Sequence, residues 1–203
     1  MRPICLRFRF ASMCALALLA CFVPAAVAQS TSQVTVHLDP SQTQIHWTLQ
    51  GNMHTVHGTF QLKGGLITFD PASGVAEGEV LVDAASGQSG EGARDRRMQS
   101  DVLESPRYPQ IIFHPQKVSG TVKPGDAQNV TVDGTFTLHG KDHPLTLALK
   151  VEADAGGHVT ASTHFVIPYV AWGMKNPSNF LFRVDKEVAI DVEAKGTVEG
   201  LKP

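Results

Sequence analysis

The sequence predicts an all-β domain of about eight to ten antiparallel strands, either a closed barrel or a two-sheet sandwich. Most of the 203 residues alternate between apolar and polar side chains, which is the pattern of strands with one buried face. Turn sequences such as Asp70-Pro71 and Gly156-Gly157 separate these runs. One segment, 93–113, has a helical signal, and neither a repeat nor a second folded domain is indicated.

The first 28 residues have the pattern of a signal peptide. Three arginines precede an uncharged apolar run, and Ala26-Val27-Ala28 places small residues where a signal peptidase reads the chain. We therefore expect cleavage before Gln29 and a mature domain of residues 29–203 in the periplasm or secreted from the cell. The apolar run is about 14 residues long, shorter than the roughly 20 that cross a bilayer. No transmembrane span is expected in the mature chain.

All three cysteines, Cys5, Cys14 and Cys21, lie in this leader. Cleavage before Gln29 would leave a mature chain with no disulfide, thiolate nucleophile or cysteine-ligated metal. The run Leu18-Leu19-Ala20-Cys21 also resembles a lipoprotein processing box. Processing there would instead leave a lipidated Cys21 at the new N-terminus.

The charge balance of the mature chain is acidic. Of 17 lysines and arginines, three lie in the leader, so 14 remain against 19 aspartates and glutamates, a formal charge of −5. Proteins that bind nucleic acid have basic faces, so this balance argues against such a partner.

In the first half of the chain, one-sided alternation predicts successive strands. They lie at 34–38, 45–49, 56–62, 66–69 and 75–83. Gly64-Gly65 predicts a turn between the third and fourth of these runs. Ile67 and Phe69 are then the expected core pair of the fourth strand.

The helical segment follows a small, polar stretch, 84–93, for which we expect a flexible loop. Ser100 or Asp101 can cap a helical turn over 102–104. Pro106 and Pro109 then extend the chain into the apolar run Ile111-Ile112-Phe113. The segment is expected to leave the sheet and return to it.

The second half of the chain alternates more regularly than the first. Strands are expected at 117–123, 130–138, 145–151, 159–167 and 184–194. Several of the inward positions are small, among them Gly78, Gly134, Ala161 and Thr163. Small inward residues either leave room for a ligand or only allow the sheet to curve, and the pattern does not distinguish these two interpretations.

Three sequence blocks, in this order, are similar to the YceI family of exported lipid-binding proteins. They are LDPSQTQIHW with VHGTF and GGLITFDP, then RDRRMQSDVLESPRYPQIIF, then VDGTFTLHGKDHPLTL. The resemblance extends from Val34 to Ala194. It implies a lipocalin-like β-barrel with a short helical insertion, which binds a polyisoprenoid, isoprenoid quinone or fatty-acyl amphiphile in an apolar lumen and often forms a homodimer.

The resemblance also implies which residues contact the ligand. The expected lumen lining is Trp47, Leu49, Val56, Phe60, Leu62, Ile67, Phe69, Ile111, Phe113, Phe136, Leu138, Leu147, Phe165 and Ile167. Arg94 and Asp95 match the Arg-Asp pair of the family and are expected to act as a structural clasp or at a ligand head group. Tyr169, Trp172 and Lys175 are expected at the rim.

The function predicted from the sequence is ligand binding, without catalysis, a metal or a resident cofactor. His54 and His57 are three residues apart, and at that spacing two residues of one strand point to opposite faces, so they could share a metal only if a turn or bulge intervened. Two other functions stay open. One is an exported stress-response or interaction protein with a filled barrel, and the other is a hydrolase or isomerase with Tyr169, Trp172, Lys175 and a histidine at the barrel mouth.

Overall fold

The computed structural model describes residues 33–201, which form nine antiparallel strands and one helical segment. The leader, its three cysteines and both expected processing sites lie outside the described residues. The strands are β1 Val34–Leu38, β2 Gln44–Leu49, β3 Val56–Phe69, β4 Ala76–Gln88, β5 Gln110–Ser119, β6 Gln128–Leu138, β7 Lys141–Ala153, β8 His158–Ile167 and β9 Val188–Glu199. The helix α1, Gly92–Arg97, continues into a π-helical turn, Met98–Val102.

The strands close into a barrel with eight strand positions. From β3 to β9 each strand pairs with the next along the chain, and both β1 and β2 pair with β3 and with β9. The two short strands therefore lie end to end in one position of the wall. Closure removes the free edges that an open sheet would expose, and it decides between the barrel and the sandwich.

The third strand contradicts the turn predicted at Gly64-Gly65. Its pairing with β4 shifts register between Thr59 and Gln61 and again between Leu62 and Gly64, but the strand continues through both glycines to Phe69. A bulge inserts an extra residue and so changes which face the following residues occupy. This explains how Leu62, at an even position, and Ile67, at an odd one, both face the interior.

The prediction of a flexible loop over 84–93 was also wrong for most of its length, since only residues 89–91 lie between β4 and α1. Ala84 to Gln88 continue β4, and Ala84 is buried because its small side chain faces inward. The helix begins earlier than predicted, and its cap is Glu91, whose carboxylate accepts hydrogen bonds from the amides of Ala93 and Arg94 at 3.0 and 2.7 Å. Neither Ser100 nor Asp101 caps it, since both lie inside or at the end of the π-helical turn.

Of the strand expected at 117–123, residues 117–119 are the end of β5, which begins at Gln110, and residues 120–123 lie outside any strand. Pro115 lies within β5, and the register against β6 shifts between Pro115 and Lys117. Proline cannot donate to the ladder, so it is accommodated at such an irregularity.

The two ends of the barrel differ. One end carries the segments between strands that follow β2, β4, β6 and β8, namely 50–55, 89–109, 139–140 and 168–187. We call it the mouth end. The opposite end is packed with buried apolar side chains, among them Val34, Phe69, Ala153, Val159 and Val198.

Candidate functional site

The barrel encloses a cavity of about 730 Å³, which we call the lumen. Its walls are the inward side chains of the strands, and these are aliphatic or aromatic almost throughout. The inward side chains of β7 are only half-buried, although they point into the barrel and not toward the outer solvent. They are Leu145, Leu147, Leu149 and Val151. They face open space because no side chain fills the centre.

All fourteen residues predicted to line the lumen do line it. Whether they contact a ligand stays a prediction. Three further lining residues on the helical segment, Met98, Val102 and Leu103, were not predicted from the sequence. The i, i+4 spacing of Met98 and Val102 is a helical signal. It was overlooked because the helical turn was predicted at 102–104, after Met98.

The small inward residues turn out to have different roles. Ala161 and Thr163 line the lumen and leave room there. Gly134 instead allows close packing, because a Cβ there would lie 2.4 Å from the His114 carbonyl oxygen and 2.7 Å from the Phe113 ring. Gly78, with φ +112°, sits against the Leu66 carbonyl and permits a backbone that other residues rarely adopt.

Aromatic side chains pack under the mouth end of the lumen. The Phe136 ring lies 6.2 Å from that of Phe165 in an edge-on arrangement and 6.0 Å from that of Trp172. Trp172 stacks on His143 with ring centroids 3.9 Å apart. Burial, and secondarily the nearby Lys141, lowers the pKa of His143 below its usual 6.5. The neutral imidazole is therefore the form that this stack favours.

Polar lining residues concentrate at the mouth. Glu91, Arg94 and Arg97 belong to the helical segment, and His54 and Asn179 belong to the 50–55 and 168–187 loops. Elsewhere the polar lining consists of Thr43 and Thr163 in the wall and Tyr169 near the mouth. The lumen is thus apolar along its length and polar where it opens.

Arg94 and Asp95 both bind Ser89, the residue after β4. The Arg94 guanidinium donates to the Ser89 hydroxyl at 2.7 Å and to its carbonyl at 3.0 Å. Asp95 accepts the Ser89 amide at 2.9 Å and also the Ser89 hydroxyl. The pair therefore fixes the start of the helix against the barrel wall. Arg94 also lines the lumen, whereas Asp95 does not.

The three rim candidates do not converge. Tyr169 lines the lumen, but its hydroxyl donates to the Asp185 carbonyl at 2.7 Å, and burial raises its pKa to about 12. Lys175 forms an ion pair with Asp101 at 3.7 Å, which joins the 168–187 loop to the helical segment. Trp172 lies in the aromatic stack. These three residues therefore make separate structural contacts at the mouth end and do not form a shared reactive centre.

The described residues include no cluster of three or more His, Cys, Asp or Glu that could hold a metal ion. In the same part of the chain, no helix is long and apolar enough to cross a membrane.

Comparison with known proteins assigns the family. The family model of the YceI-like domain matches residues 37–196. The chain belongs to the YceI-like family. A UPF0312 protein of Pseudomonas putida (strain W619) is 36% identical over 94 residues, which are 45% of this chain and 46% of that protein. The chain thus matches about half the length of this curated YceI relative.

Two solved structures share the YceI-like fold. One is BcnA of Burkholderia cenocepacia, with a TM-score of 0.62 at 20% identity, covering 79% of this chain and 99% of that one. The other is a polyisoprenoid binding domain from Saccharophagus degradans implicated in plant cell wall breakdown, with a TM-score of 0.63 at 15% identity, covering 81% and 98%. At these identities, the likeness shows the fold alone and confirms the lipocalin-like barrel.

Proposed function

We propose that this protein is exported and holds one long-chain apolar molecule, a polyisoprenoid, isoprenoid quinone or fatty-acyl amphiphile, in its lumen. The observation that carries this proposal is the apolar cavity of about 730 Å³. Its size falls within the roughly 300–1,000 Å³ of ligand pockets. Membership of the YceI-like family and the fold shared with a polyisoprenoid binding domain support the same ligand class.

The composition of the lining favours the tail of the ligand as the source of affinity. Each CH₂ transferred from water into such a lumen contributes about 0.8 kcal/mol, so ten tail carbons contribute about 8 kcal/mol before ordering costs. An exposed ion pair at the mouth contributes about 0–1 kcal/mol. The apolar walls therefore set the affinity.

The position of the polar groups favours one orientation of the ligand. The guanidinium groups of Arg94 and Arg97 lie at the mouth with Glu91 and His54, and the packed end offers apolar side chains. A polar or anionic head group placed at the mouth keeps its hydration and meets cations, whereas the same group at the packed end would lose its hydrogen bonds. We therefore place the head group at the mouth and the tail below it.

A filled barrel and a catalytic site have less support. The open lumen argues against the former, and the separate engagements of Tyr169, Trp172 and Lys175 argue against the latter. A tyrosine with a pKa near 12 is also a poor proton donor or acceptor at neutral pH.

The test is native mass spectrometry of the protein recovered from the periplasm of a bacterial host, followed by organic extraction. We expect one co-purifying species of isoprenoid, quinone or fatty-acyl mass for each chain. Protein that is empty and that also fails to take up added geranylgeraniol and palmitic acid would refute the carrier function. Recovery only from the cytoplasm would refute export.

A further inference from the structure

Two loops at the mouth end expose large apolar side chains next to one another. Met53 of the 50–55 loop is 67% exposed, and Phe180, Leu181 and Phe182 of the 168–187 loop are 89%, 65% and 48% exposed. We call these four residues the apolar tip. Single exposed apolar residues are ordinary, but a contiguous group of large ones marks an interaction site.

The two loops form one unit. Asn52 joins them, because its amide donates to the Arg183 carbonyl at 2.9 Å and its side chain accepts the Arg183 amide at 3.0 Å. The side-chain NH₂ of Asn52 also donates to the Leu181 carbonyl at 3.3 Å. A bridge between Gly51 and Val184 continues this pairing. The tip is therefore a fixed structure that does not need to order on binding.

Two of the four tip residues, Leu181 and Phe182, have their backbone amides paired within the protein. The Asn179 side chain accepts the amides of Leu181 and Phe182 at 2.9 and 2.7 Å, and the Phe182 carbonyl accepts the Asn179 amide at 2.8 Å. The Ser178 hydroxyl accepts the amide of Val184 at 2.9 Å. Unpaired backbone groups cost several kcal/mol in hydrocarbon. Because the Leu181 and Phe182 amides are paired, these two residues can leave water at a lower polar cost than an unpaired loop would incur.

The tip is continuous with the lumen. Phe182 belongs to both, and Asn179 and Pro177 of the same loop also line the lumen. An apolar molecule that leaves the lumen here passes beside the tip. A surface that receives the tip would therefore also lie at the opening through which a ligand enters or leaves the lumen.

The distribution of charge also distinguishes this end. Segments 50–55, 89–109, 139–140 and 168–187 contain seven Lys and Arg against six Asp and Glu, whereas the other described residues contain six against thirteen. Arg183 follows the tip directly, and Arg96 and Arg97 are exposed on the helical segment. An anionic surface would thus attract this end and repel the rest of the barrel, which orients the molecule with its tip toward that surface.

We propose that the apolar tip docks on the surface of an anionic lipid bilayer, where the lumen loads or releases its ligand. Amphipathic surfaces of this kind bury their apolar residues in the headgroup and acyl boundary. The nature of the molecule exchanged rests on the proposed function. Attachment to the bilayer does not, and it is measured separately.

The experiment compares cosedimentation of the protein with vesicles of phosphatidylcholine alone and of phosphatidylcholine with phosphatidylglycerol. We expect stronger binding to the anionic vesicles, and at least a tenfold loss of binding in the double variant Phe180→Ser, Leu181→Ser. The matched control is Leu66→Ser, Val75→Ser, which removes two exposed apolar side chains elsewhere on the barrel. It should bind as the unaltered protein does.

Three results would overturn the proposal. The first is that the unaltered protein binds neither kind of vesicle, and the second is that the tip and control variants lose vesicle binding equally. The third is that the protein binds no vesicles but forms a dimer, and that the tip substitutions dissociate this dimer. If the tip variant does not fold, Phe180→Trp gives a second measurement. Its fluorescence must be quenched by lipids brominated along the acyl chain, and no quenching would also overturn the proposal.

Ligand retention in the same tip variant separates this proposal from the proposed function. Loss of vesicle binding with the ligand still held supports docking at the tip. An unaltered protein that is empty and takes up neither geranylgeraniol nor palmitic acid, but still binds vesicles, refutes the carrier function and leaves docking at the tip supported.

Discussion

Filling the lumen from its wall should displace the ligand without destabilising the fold. Ala161 on β8 lines the lumen and is half-buried, so a phenylalanine side chain placed there would extend into open space. It brings about six additional carbons. If each displaces one ligand carbon worth about 0.8 kcal/mol, Ala161→Phe weakens binding by up to about 5 kcal/mol, or three to four orders of magnitude.

The matched control is the same substitution outside the lumen. Ala153 is 2% exposed and lies at the packed end of the barrel. An added ring there overfills a packed region, which costs about 1–3 kcal/mol of stability. Ala161→Phe should instead leave the free energy of unfolding unchanged or raise it, because the ring buries apolar surface in a space that was empty.

Urea unfolding followed by circular dichroism measures the stability of both variants, and titration with a fluorescent long-chain fatty acid measures their affinity. The reasoning would be refuted if Ala161→Phe destabilised the protein as much as Ala153→Phe does. It would also be refuted if the folded Ala161→Phe variant bound the fatty acid as tightly as the unaltered protein.

Three further predictions concern single side chains. Phe165→Glu puts a charge into the lumen and should abolish ligand retention in native mass spectra, while the outward control Val166→Glu should retain the ligand; equal retention would contradict the lumen assignment. His143 should titrate below pH 6.5 in an NMR pH series, so its contribution to stability is complete above pH 6.5 and is lost as the pH falls through its folded pKa; a midpoint above 6.5 would contradict its burial. Gly134→Ala should lower the free energy of unfolding by about 1–3 kcal/mol, as measured with urea. The control Gly64→Ala, with no atom within 4 Å of the new Cβ, should be neutral or stabilising. Equal effects of the two substitutions would be evidence against close packing at Gly134.

The regular strands could be predicted from the sequence because each shows its own alternation of apolar and polar residues. In β6, Val130, Val132, Phe136 and Leu138 are buried, as their alternation with threonines predicted. A strand with one face on an apolar interior must repeat every two residues. The inward face of each regular strand follows directly from this periodicity, whereas the lumen itself was implied by the family resemblance.

The irregular elements depend on contacts that the sequence does not display. Gly64-Gly65 has the composition of a turn, and only the pairing of β3 with β4 shows that the strand continues through a bulge. Glu91 is an unusual cap, since Ser, Thr, Asp and Asn are preferred there, so the helix start was missed. The choice between cavity and curvature at Ala161 and Gly134 likewise needed the distances to neighbouring atoms.

The arrangement of β1 and β2 end to end has a consequence for how the molecule is made. Thr35 pairs with Glu199 and Val36 with Val198, so the first described strand closes the ring against the last. The wall cannot be completed until nearly the whole chain is present. Contacts so distant in sequence make folding slow, on the order of milliseconds to seconds. A growing chain therefore cannot complete its barrel until its synthesis is nearly finished. The export proposed above would act on a chain whose barrel is still open.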